Sequence, residues 1–118
     1  MQGIVFLGDK KLEIQDFDDP SPGPDDVIIE IKASGMCGSD LKFYRANNGP
    51  SSLGLGGDDK PVIAGHEPCG TIVEIGSNVP KKTFQLDTRV MQHHYEGCGT
   101  CSHCSTGWQQ LCIDGVKA

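Results

Sequence analysis

The chain has little positive charge, few aromatic side chains and no long apolar run. Lys and Arg total 10 against 16 Asp and Glu, a formal net charge of −6. An acidic surface repels a phosphate backbone, which argues against a nucleic-acid partner. Eight of the acids lie between Asp9 and Glu30, and a solvated face accounts for them. With four Phe, two Tyr and one Trp, the core must come from Val, Ile and Leu. Nothing approaches the roughly 20 apolar residues of a membrane-spanning helix. Met1 to Phe17 lacks the basic segment and apolar block of a signal peptide. The expectation is a cytoplasmic protein without a membrane partner.

Glycine, proline and cysteine are what the chain has instead. Its 118 residues suit one domain, 1–118, and 16 Gly favour turns and short strands. Residues 2–7 and 11–17 read as a hairpin around Gly8-Asp9-Lys10. Pro20, Pro22 and Pro24 exclude a helix or internal strand over 18–26. Residues 27–33 predict a strand in which Val27, Ile29, Ile31 and Ala33 share one face and Glu30 and Lys32 point the other way. Residues 39–46 predict a short helix, capped by Ser39 or Asp40. The stretch 47–60 reads as a surface loop, 61–64 as a short extended piece, and 71–75 and 88–93 as strands. The fold class is mainly β, a partly open barrel with short helices.

Four of the six cysteines fall within fifteen residues: Cys98, Cys101 and Cys104 at two-residue gaps, then Cys112. A two-residue gap lets the backbone turn so that both sulfurs face one ion. Four thiolates complete the tetrahedral shell of a structural zinc. Burying them without a cation is prohibitive, so metal and fold are coupled. The competing readings are free or disulfide-linked thiols, or His103 in place of one sulfur. An iron–sulfur cluster of the bacterial ferredoxin type needs a third gap of three residues and a following Pro, which the chain lacks. The lobe spans about 95–114, and Trp108 is expected to pack it against the barrel.

A second set of metal-binding residue types is dispersed: Cys37 after the strand at 27–33, and His66 with Glu67 after Gly65. Taken alone, Cys37 reads as a small core residue. Its context changes that reading. Gly65-His66-Glu67-Pro68-Cys69-Gly70, with Gly76 and Val79, resembles the signature of zinc-containing alcohol dehydrogenases. Cys37-Gly38-Ser39-Asp40 resembles their catalytic loop, and His94 to Cys101, with Gly107-Trp108 and Cys112, their structural-zinc lobe. These motifs span essentially the whole chain in the family's order. The resemblance implies a GroES-like barrel, the catalytic domain of a medium-chain, zinc-dependent alcohol or polyol dehydrogenase.

That resemblance also implies roles. Cys37 and His66 would be ligands of a catalytic zinc, with Glu67 near the metal or on it. Asp40 would accept a hydrogen bond from the far nitrogen of His66. Ser39 would bond the substrate hydroxyl and pass its proton outward. Hydride would move between an alcohol or carbonyl substrate and NAD or NADP held by a Rossmann domain, and the full-length protein would be a homo-oligomer. The third zinc ligand usually lies beyond the equivalent of Ala118, so Glu67 is the stand-in. Gly54-Leu55-Gly56-Gly57 lacks the flanking strand and helix of a dinucleotide site and reads as loop. The 118 residues alone are expected to be inactive. Lys42 stands where many relatives place a relay His, and Asp87 where they have Gly. His94 falls at a pocket-lining position, whereas Cys69, Phe43 and Tyr44 read as packing residues. The alternatives are a non-enzymatic zinc module for assembly or binding, and a thiol redox switch at Cys98 and Cys101.

Overall fold

The computed structural model describes residues 1–47, 61 and 63–116. The Gly-rich stretch 54–57, most of the 47–60 loop, Val62 and the end of the chain lie outside the described residues. Among those described, the architecture is mainly β, as expected. Strands β1 (Gln2–Gly8) and β2 (Lys11–Asp16) form an antiparallel hairpin that sets Ile4 opposite Ile14 and Phe6 opposite Leu12. Strands β3 (Val27–Gly35), β4 (Glu67–Ile75) and β5 (Arg89–Met91) form an antiparallel sheet in the order β3-β4-β5. A bridge between Val5 and Ile63 and a bond from Ala64 N–H to the Ile4 carbonyl (2.7 Å) tie the 61–64 segment to the hairpin. Among the described residues the two sheets do not close into a barrel.

The hairpin turns through three consecutive left-handed residues, Gly8, Asp9 and Lys10 (φ 78°, 50° and 62°). Only the first is the residue type that adopts this region without steric cost. The turned backbone aims two donors at helix α1 (Gly38–Arg45): Asp9 N–H reaches the Ala46 carbonyl (2.9 Å), and Lys10 N–H the Tyr44 carbonyl (2.8 Å). Tyr44 also packs on Phe6, ring centroids 5.7 Å apart. Val5, Phe6, Ala46, Ile72 and Val79 are buried, with Ile72 at 0% exposure. The core is small and mostly aliphatic, with Phe6 its one aromatic among the described residues.

The regular alternation expected of β3, with Val27, Ile29, Ile31 and Ala33 on one face, is interrupted. Register shifts between Ile28 and Ile29, and between Ile31 and Ala33, break the alternation. Val27, Ile28 and Ile29 are half-buried in succession, whereas Ile31 is 51% exposed. Extra residues in a paired strand rotate the following side chains. β4 starts earlier than its apolar run suggests, at Glu67, and β5 is shorter than 88–93. At Gly70 the strands approach so closely that a Cβ would strike the Glu30 carbonyl.

Candidate metal centres

The cysteine lobe is built from turns. Cys101 caps helix α2 (Ser102–Ser105), its sulfur accepting the Cys104 N–H at 3.4 Å. The Cys98 sulfur accepts the Cys101 N–H (3.3 Å), and the Cys112 sulfur the Cys98 N–H (3.3 Å). A 3-10 turn, Gln109–Leu111, brings Cys112 back to the group. One ligand atom from each of Cys98, Cys101, Cys104 and Cys112 lies within 4.8 Å of all the others. Thiolates about 2.3 Å from a shared tetrahedral zinc stand about 3.8 Å apart, so the cluster has suitable dimensions.

Its electrostatics point the same way. Backbone N–H groups of Cys104 and Ile113 draw Cys101 down to about 6, while burial pushes Cys104 up to about 12. One sulfur is ready to be an anion and its buried neighbour is not, a conflict that a bound cation resolves. The His103 imidazole is not part of the converging group. Trp108 is 56% exposed, so it does not serve as the expected packing wedge; its main-chain N–H bonds the His103 carbonyl at 2.9 Å.

The second site is assembled from separate elements. Cys37 follows β3 and is itself the N-cap of α1, in place of the expected Ser39 or Asp40. Its sulfur accepts the Ser39 N–H at 3.2 Å and lies 2.8 Å from the Ser39 hydroxyl. Gly65, at φ 84°, turns the chain into β4 and leaves His66 facing Cys37. Cys37 Sγ and His66 Nε2 are 3.2 Å apart, although 29 positions separate them in the sequence. Glu67 completes a group whose ligand atoms also lie within 4.8 Å of one another. Gly35 makes room for it, since a Cβ there would overlap the Glu67 carboxylate. Among the described residues, Glu67 alone joins Cys37 and His66 in this way.

Asp40, 3% exposed, binds both halves of the site. One carboxylate oxygen accepts the Cys37 N–H (2.8 Å). The other accepts the Gly65 N–H and lies 3.3 Å from His66 Nδ1. A bond from the Nδ1 proton leaves the Nε2 lone pair for a metal. Burial draws the His66 pKa down, but the hydrogen bond and charge of Asp40 overcome it, and the net shift is upward. The hydroxyl and N–H of Ser39 lower Cys37 below the usual thiol value. A low-pKa sulfur beside an oriented imidazole and a carboxylate is a donor set that suits zinc.

The other residues singled out in the sequence fall nearby or apart. The His94 ring stands edge-on to His66, centroids 4.8 Å apart, and Tyr95 lies 4.0 Å from His94. Sequence reasoning missed Tyr95, and no periodic pattern marks it because β5 ends at Met91. Lys42 is exposed on α1. Cys69 is half-buried in β4 opposite Met91, outside both groups. No helix among the described residues is long and apolar enough to cross a membrane.

Comparison with known proteins accords with this geometry. Residues 23–118 match the family model of the alcohol dehydrogenase GroES-like domain. The L-idonate 5-dehydrogenase of Vitis vinifera is 39% identical over 107 residues, covering 91% of this chain and 28% of that protein. The sorbitol dehydrogenase of Bacillus subtilis is 35% identical over 114 residues, covering 97% of this chain and 31% of its own length. The short chain alcohol dehydrogenase of Escherichia coli CFT073, solved with cofactor NADH, superimposes with a TM-score of 0.74 at 28% identity, covering 100% of this chain and 31% of that one. The chain thus spans about three tenths of the length of these relatives.

Proposed function

Because the chain belongs to the alcohol dehydrogenase GroES-like domain family, we propose that residues 1–118 are the zinc- and substrate-binding domain of a zinc-dependent alcohol or polyol dehydrogenase working with NAD or NADP. The observation that carries this reading is the 3.2 Å approach of Cys37 Sγ to His66 Nε2, with Asp40 on the opposite ring nitrogen. Family members with polyol names, L-idonate 5-dehydrogenase and sorbitol dehydrogenase, favour a small hydroxylated substrate.

Cys37, His66 and Glu67 would hold the catalytic zinc, and Cys98, Cys101, Cys104 and Cys112 a structural one. Bound at the first set, zinc supplies a Lewis acid that eases ionisation of an alcohol hydroxyl or polarises a carbonyl. The protein does the rest. Asp40 holds the His66 ring in the tautomer that presents Nε2. Ser39 accepts the hydroxyl proton of the alcohol and hands it on. From Ser39 the proton passes to water. A nicotinamide cofactor would be held by a Rossmann domain in the remainder of the full-length protein, which would assemble as a homo-oligomer. The 118 residues alone are expected to give no reduced nicotinamide with any alcohol.

Metal counting tests the reading. Two zincs per chain are expected by atomic absorption, with one lost on Cys37→Ser and the lobe zinc kept. One zinc, untouched by that substitution, would mean that the lobe is the only metal site and that the chain is an assembly or binding module.

A further inference from the structure

Three sulfurs of the lobe are placed by local turns, but Cys112 arrives from outside them, separated from Cys104 by seven residues. We infer that Gln109 is the positioning residue that brings Cys112 to the structural metal. Its side-chain Oε1 accepts the Gly97 N–H at 3.3 Å, at the entrance of the lobe. Its main-chain carbonyl accepts the Cys112 N–H at 3.0 Å, at the exit. One residue therefore joins the segment that delivers Cys98 to the turn that delivers Cys112. Gly97 fits into this junction without spare space. A Cβ there would fall 2.5 Å from the Cys104 sulfur and 3.2 Å from both the Cys112 Cβ and the Gln109 carbonyl oxygen. The contact between the two segments is closed further by the Cys98 N–H donating to the Cys112 sulfur.

Gln109 is not one of the four ligands proposed for the metal. It acts through Gly97 and Cys112, as a hydrogen-bonded partner behind a ligand acts on metal affinity. Its neighbour supplies the control. Gln110 has a buried Oε1 with no hydrogen-bond partner among the described residues. Removing that side chain breaks no such bond.

The test follows zinc loss to a chromogenic chelator in a Cys37→Ser background, so that only the lobe contributes. Gln109→Ala should release zinc at least about tenfold faster, the scale of losses behind metal ligands. Gln109→Glu, which keeps the acceptor, should stay within about threefold, and Gln110→Ala should match the parent. The cobalt-substituted lobe gives an independent readout. If Cys112 loosens in Gln109→Ala, the sulfur-to-cobalt absorption per bound ion falls by about a quarter, one sulfur in four. General unfolding would instead lower cobalt binding and leave the absorption per bound ion unchanged, which overturns the positioning role. Equal zinc release from Gln109→Ala and its parent, or equal acceleration by Gln110→Ala, would also overturn it.

Discussion

Two regions of this molecule gather cysteine sulfur, and they do so by opposite means. The lobe draws four cysteines from a fifteen-residue stretch. Its own N–H groups, at Cys98, Cys101 and Cys104, orient the sulfurs. The Cys37 site draws on two segments 29 positions apart and relies on a buried carboxylate to hold them together. One region has almost no hydrophobic core, so the zinc proposed for it would do the work of a core. The other is carried by strands and a helix that fold for their own reasons. The difference teaches that one ligand chemistry can organise structure in one place and be organised by it in another.

The largest effect should come from the lobe. Cys104→Ser removes its buried sulfur, and zinc content should drop by one per chain. Since structural zinc contributes on the order of 10 kcal/mol to small folded units, residues 96–114 should become sensitive to protease while the strands stay intact. If the strands unfold as well, the two regions are not independent.

A smaller effect is expected at the other site. Asp40→Ala leaves the donors of Cys37, Gly65 and His66 unanswered. It should weaken zinc there by about 10–100-fold and cost about 2–3 kcal/mol in chemical denaturation. The lobe zinc should remain, and its loss would contradict the contrast drawn above.

The smallest effect is in pH dependence after chelation. His66 has a folded pKa above its ordinary 6.5. Its contribution is therefore fully present below pH 6.5 and fades as pH rises through the elevated value. Cys101 is depressed from 9.0 to about 6, so its contribution is present above pH 9.0 and is lost as pH falls through about 6. Comparing chelated parent with His66→Gln and with Cys101→Ser should give stability differences of opposite slope. Parallel slopes would refute the assigned causes.

The sequence makes some of this legible and hides the rest for physical reasons. The hairpin is readable because Gly8-Asp9-Lys10 interrupts two apolar stretches. The mainly β class follows from turn density. The face of β3 is not readable, because its register shifts depend on the partner strand. The start of α1 is misread because sulfur is a rare cap, yet Cys37 is placed to accept the Ser39 N–H. Asp87 is instructive in another way. It stands at φ 63°, a region that favours glycine. Bonds from Asp87 N–H to the Ile72 carbonyl and from Ile72 N–H to the Thr88 carbonyl keep the turn nonetheless. At the Cys37 site, the resemblance to zinc-containing alcohol dehydrogenases singles out the three residues that converge. It carries no sign of the Gly65 N–H bond to Asp40, because a main-chain donor leaves no trace in residue type.

Helix α1 is held at both ends like a beam on two supports. Cys37 and Asp40 grip its start, and the strained tip of the β1–β2 hairpin grips its finish. Such a beam has little freedom to tilt. In the proposed role of Ser39, the ordering cost of its hydroxyl would be met when the chain folds, with little left to be met when a guest molecule arrives.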